Sequence, residues 1–268
     1  MWWRRRDSGA DPISAADWEA AFDALPLLDG LDAETRARLQ QMAARFLQQK
    51  QLEPVQGTEL DEPMRLELAL QATLPVLELG LDWYRGWHTL ILYPDQFVPA
   101  REVMDEDGLV WIDDEPKSGE AWEQGPVILS LTDAAAGCER DGYNVVIHEL
   151  AHKLDLLDGA ANGHPPLHRG MSDARWAEAF GAAYADLCRR CEAAIDAEEP
   201  LADTPHRNPG LDDGIDPYGS ESPAEFFAVC SETFFELPHR LQAIYPEVYA
   251  QLQAFYRQDP ARRLPEQR

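Results

Sequence analysis

The sequence predicts an α+β fold, mostly helical with one small mixed sheet, from three observations. Stretches with apolar residues at helical spacing fill the amino-terminal third and the carboxy-terminal half of the chain. Three short β-like runs cluster between residues 88 and 132. Pro, Gly and acidic loops separate those runs, and no Gly/Ser linker or internal repeat divides the sequence. A chain of 268 residues can bury roughly 75% of its unfolded surface without staples. One domain over residues 11–260 is expected, between a disordered tail at 1–10 and a C-terminal tail at 261–268.

The first strong element, "DAETRARLQQMAARFLQQK" (32–50), opens on an aspartate able to cap a helix and carries Leu39, Met42, Ala43, Phe46 and Leu47 at helical spacing. In "RLELALQATLPVLELGLDWY" (65–84) the helical pattern is interrupted at Pro75, which lacks the N–H that a helix interior needs. The β-like runs are "HTLILY" (88–93), "GLVWI" (108–112) and "PVILSLT" (126–132). The last of them is the expected platform for an extended peptide adding as a strand. After Gly142 helical spacing returns over 143–157, 173–195, 222–236 and about 245–257. Residues 200–222, rich in Pro, Gly and Asp, read as a long loop, either functional or partly disordered.

Composition excludes several classes of function. A net charge of −26, from 49 acidic and 23 basic residues, repels phosphate backbones and anionic lipid surfaces. Direct nucleic-acid binding and a membrane partner are therefore not expected. No run of 18 apolar residues is present, and the basic start "MWWRRR" is followed by no apolar signal core, so a cytoplasmic protein is expected. Four cysteines are too few for a disulfide framework. Cys188 and Cys191 form a lone C-x-x-C within a helical stretch, without a second pair to close a zinc site, and read as packing residues.

The chemistry concentrates in "NVVIHELAHKLD" (144–155), where His148, Glu149 and His152 stand among Val145, Val146, Ile147, Leu150, Ala151 and Leu154. The segment reads as an apolar helix without a capping residue. Two histidines four apart on a helix lie about 40° apart in rotation and about 6 Å apart along the axis, so both imidazoles reach one metal. Glu149 sits beside them, close enough to act as a base without ligating. Two imidazoles with a carboxylate suit zinc, and burying such groups without a partner costs several kcal/mol.

A catalytic zinc site takes a third protein ligand, and Asp158, Glu225 and Glu232 compete for the place. A turn toward Asp158 lacks the glycine three residues after the second histidine, where this chain has Asp155. The stretch 216–236 instead brings Glu225, Glu232 and Glu236 within about 40° of one another on a helical wheel. Ser222-Pro223-Ala224-Glu225 also matches a capping box with Pro at the first helical position. Tyr218, just upstream, is a candidate donor to a developing oxyanion.

These residues resemble the Mlc titration factor A family of bacterial zinc peptidases. The likeness runs through "FLQQK", "LPVLELGLDWY", "YPDQFV", "SGEAWEQGPVILS", "NVVIHELAHKLD", "DPYGSESPAEFFAV" and "FYRQDP". It implies a zincin-type metallopeptidase domain resembling the catalytic domain of anthrax lethal factor. It further implies zinc ligands at His148, His152 and Glu225, a general base at Glu149 and a transition-state hydrogen bond from Tyr218. Glu232 is then left to orient a ligand histidine, because two helical turns set it about 10 Å from Glu225 along the axis. The implied activity is an aminopeptidase-like hydrolysis of peptides, with binding to a glucose-responsive transcriptional repressor. The alternative is a regulatory protein that sequesters the repressor around a structural or vestigial zinc site. Where some relatives carry a histidine associated with the metal site, this chain has Trp111, whose indole cannot ligate.

Overall fold

The computed structural model describes residues 13–97, 101–104, 110–113, 117–121, 125–137, 139–159, 161–196 and 215–266. The expected tail at 1–10 lies outside them. The chain begins with helices α1 (Ala15–Asp23) and α2 (Ala33–Gln49), then strand β1 (Gln51–Pro54) and helix α3 (Glu62–Thr73). Strands β2 (Thr89–Tyr93), β3 (Arg101–Met104), β4 (Val110–Asp113), β5 (Gly119–Ala121) and β6 (Val127–Ser130) follow. Among the described residues, α-helices α4 (Leu131–Ala136), α5 (Val145–Asp155), α6 (Asp173–Asp196), α7 (Pro223–Glu236), α8 (Pro238–Ile244), α9 (Pro246–Tyr256) and α10 (Pro260–Arg263) come after them. The fold is mostly helical with a small mixed sheet, as the sequence predicts.

Local chemistry explains the boundaries. Asp32 caps α2 by accepting from Thr35 N at 2.8 Å, as expected. Helix α3 starts earlier than the apolar pattern shows, because Asp61 accepts from Met64 N at 2.9 Å, and it ends just before Pro75. Residues 261–264, expected to be tail, are packed instead: α10 covers most of them, and Leu264 is buried.

One sheet has the order β1-β2-β6-β5, parallel across the first three strands and antiparallel between β6 and β5. A hairpin of β3 and β4 stands apart. Strand β6 is buried along its whole length, as a central strand must be. Both its edges are occupied, by β2 with Leu90 opposite Val127 and by β5 with Gly119 opposite Leu129. The expectation that 126–132 receives an added peptide strand is thereby corrected. Three-residue β5 is the edge beside α5, and it was too short to show a period.

The core runs from α1 and α3 through α5 to α7 and α9. Helix α7 is its axis, with every residue but Pro223 and Glu225 buried. That places Glu225, in the first turn of α7, where a cavity meets α5.

Candidate metal centre

Helix α5 is capped after all. Asn144 accepts from Ile147 N at 3.0 Å through Oδ1. Its Nδ2 donates to Gln71 Oε1 (2.8 Å), Gly137 O (3.1 Å) and Glu236 Oε1 (3.0 Å). The Asn144 backbone N–H donates to Glu232 Oε2 at 2.6 Å, and Glu232 Oε1 lies 2.7 Å from His148 Nδ1. One buried carboxylate therefore joins the start of α5 to the first histidine of the motif. An imidazole that gives its Nδ1 proton to Glu232 keeps the Nε2 lone pair for a metal.

That lone pair meets two others. His148 Nε2 is 3.1 Å from His152 Nε2, and Glu225 Oε2 is 3.0 Å from the first and 3.3 Å from the second. Ligand atoms around a tetrahedral zinc, at bond lengths of about 2.0–2.2 Å, stand about 3.3 Å apart. Three acceptors at this spacing repel one another unless positive charge lies between them, so His148, His152 and Glu225 fit a zinc ion in donor type and in spacing. Burial opposes charge on His148, yet Glu232 and Glu225 outweigh it and raise its pKa well above the ordinary range. Burial likewise pushes Glu225 up, but the two histidines hold it far below the usual carboxylate range. Both shifts express the same demand for a cation.

Half of the predicted capping box forms. Ser222 Oγ accepts from Glu225 N at 3.2 Å, while the Glu225 carboxylate turns to the histidines. Asp158 is exposed and stands outside the cluster. Glu232 is too deep to share the ion and instead touches His148 from behind.

A cavity of about 340 Å³ opens onto the three groups and is also lined by Glu149, Tyr218, Lys117 and the β5 residues Gly119, Glu120 and Ala121, with Leu156, Ala161 and Ala224 as apolar walls. Burial pushes Glu149 up to about 7, with His148 and His152 partly offsetting it. Its Oε2 is buried and accepts no hydrogen bond among the described residues. Tyr218, on a 3₁₀ turn over Pro217–Ser220, has its ring centroid 5.9 Å from that of His148. Burial and Glu225 keep its hydroxyl protonated well beyond the normal range. Trp111 pairs with Val103 in the β3–β4 hairpin; its side chain is outside the described part of the molecule. Cys188 and Cys191 are free thiols on α6.

Asp155, three residues after His152, has its own function. Its Oδ2 accepts from Gly163 N at 2.7 Å, and Trp176 Nε1 donates to Gly163 O at 3.0 Å. Gly163 has φ +75°, and a Cβ there would overlap Pro223 O. The loop is thus pinned against the start of α7, two residues from Glu225.

Comparison with known proteins adds the family. The model of the glucose-regulated metallo-peptidase M90 family matches residues 1–257. The chain belongs to that family. It is 38% identical over 262 residues to Mlc titration factor A of Cronobacter sakazakii, covering 98% of this chain and 92% of that protein. The namesakes from an Enterobacter species (37% over 264 residues, 98% and 94% covered) and Yersinia enterocolitica (38% over 265 residues, 98% and 92%) agree. Among the described residues, no helix is long and apolar enough to cross a membrane.

Proposed function

We propose that the chain is a zinc-dependent, aminopeptidase-like hydrolase that also engages an Mlc-like transcriptional repressor. Hydrolysis is carried by one observation: an acid that is not a ligand, Glu149, is buried at the wall of a cavity that opens onto three convergent ligand groups. A zinc ion held by His148, His152 and Glu225 would supply a Lewis acid and lower the pKa of water at the site. Burial pushes the Glu149 carboxyl up, which suits it to take the proton of the attacking water and return it to the leaving amine. Tyr218, kept protonated, donates to the oxygen on which negative charge develops. The outer edge of β5 aligns an extended substrate, since its only strand partner among the described residues is β6 on the other side. The test is Glu149→Gln: turnover should fall at least ~10²-fold with zinc per chain unchanged, and full activity in that variant would end the hydrolytic reading.

Repressor binding has broader support than hydrolysis, because relatives matched over 98% of the chain bear the name Mlc titration factor A. The net charge of −26 suits a partner with a basic surface. Such a partner implies a cytoplasmic location. If the zinc site is structural or vestigial, wild-type protein will bind a purified Mlc-like repressor and cleave no peptide. If both activities are present, Glu149→Gln will keep binding and lose cleavage. The proposal extends to a fold shared with the anthrax lethal factor catalytic domain, which superposition on that domain would test.

A further inference from the structure

We infer that Gly119 is a positioning residue for Glu149, an inference that rests on the hydrolytic reading above. Gly119 lies in strand β5 opposite Leu129, and its backbone is not left-handed, so conformation does not require glycine there. A glycine in a strand gives up side-chain packing and marks a place of close approach. The approach here is to Glu149. A Cβ at position 119 would overlap Glu149 Oε1, 2.6 Å from its Cγ and 2.7 Å from its Cδ. The three nearest atoms to that site all belong to Glu149, and none belongs to His148, His152 or Glu225.

Nothing polar anchors Oε2 of this carboxylate among the described residues. On the β5 side its place is bounded by the bare backbone at Gly119. The helix beneath it has little freedom to retreat, because Asn144 ties its start to α3 and α7 through Gln71 and Glu236, and Glu232 ties His148. A methyl group at 119 must then displace the carboxylate itself, while the three ligand groups stay where they are. The same glycine brings the edge strand proposed to carry substrate into contact with the base.

The test is a double-mutant cycle on the full chain: wild type, Gly119→Ala, Glu149→Ala and the double variant. Thermal midpoints should show Gly119→Ala costing several degrees when Glu149 is present and about nothing in the Glu149→Ala background, where alanine at 119 is favoured over glycine. Equal loss in both backgrounds overturns the inference. If Gly119→Ala fails to fold, recovery in the double variant supports it and continued failure overturns it. Zinc per chain should match wild type in Gly119→Ala, and zinc loss would move the effect to the ligands and refute it. On a panel of amino-acid 4-nitroanilides, Gly119→Ala should lower kcat at least ~10-fold with KM within about twofold; an unchanged kcat overturns the positioning role. If wild type cleaves none of the panel, the hydrolytic reading falls separately, and the four midpoints still decide whether position 119 is kept bare for Glu149.

Discussion

Helix α7 presents aromatic rings to one side and carboxylates to the other, and of these groups only Glu225 is less than fully buried. Phe226 and Phe227 lie against Trp176 and Phe180, whose rings stack at 4.3 Å, while Phe234 and Phe235 pack on Tyr256. Across the helix Glu225, Glu232 and Glu236 meet His148, His152 and Asn144. The aromatic side is held by area and dispersion, which are not directional and tolerate exchange of similar shapes. On the acidic side each buried group needs its own partner, and one left without costs about 1–3 kcal/mol. Stability and metal chemistry are thus divided between two faces of one helix, and substitutions on the two should fail in different ways.

The largest effect expected is on the metal. Glu225→Ala should lose most zinc and all hydrolysis, Glu232→Ala should weaken zinc roughly 10–100-fold, and Asp158→Ala should keep it; zinc per chain after dialysis ranks the three. A zinc-replete Glu225→Ala protein would break the comparison outright. Tyr218→Phe should lower kcat more than it raises KM, the mark of a bond made mainly in the transition state. A change in KM alone would reassign Tyr218 to substrate binding.

Next in size is Asn144→Ala, which removes the cap of α5 and the buried hydrogen bonds to Gln71 and Glu236, for a loss of about 2–4 kcal/mol in urea unfolding. On the aromatic side Phe227→Leu should cost about 1–2 kcal/mol with zinc and turnover unchanged. Lost zinc there would show that the two faces are coupled. The smallest effect belongs to Cys188→Ser with Cys191→Ser, expected to leave zinc, activity and, within about 1 kcal/mol, stability as they are.

Much of the site was legible because helices write their geometry locally. A hydrogen bond every four residues puts His148 and His152 on one face, and Ser222 with Pro223 marks the start of α7 and hence the first-turn place of Glu225. Asn144 carried a cap signal that was missed, although asparagine is a preferred capping residue. Short helices α4, α8 and α10 span too few turns to show an apolar stripe.

What sequence alone determined, then, is the motif, its helix and a choice among three carboxylates. Only the tertiary structure decided that Glu225 faces the histidines, that Glu232 backs His148 and that Asp158 points to solvent. It also decided that β6 is central and β5 the edge, that Gln71 reaches Asn144 across 73 positions of chain, and that Gly119 leaves room for Glu149. The reason is range: helical periodicity follows from bonds four residues apart, whereas strand order and the convergence of side chains depend on contacts between segments that no local pattern encodes.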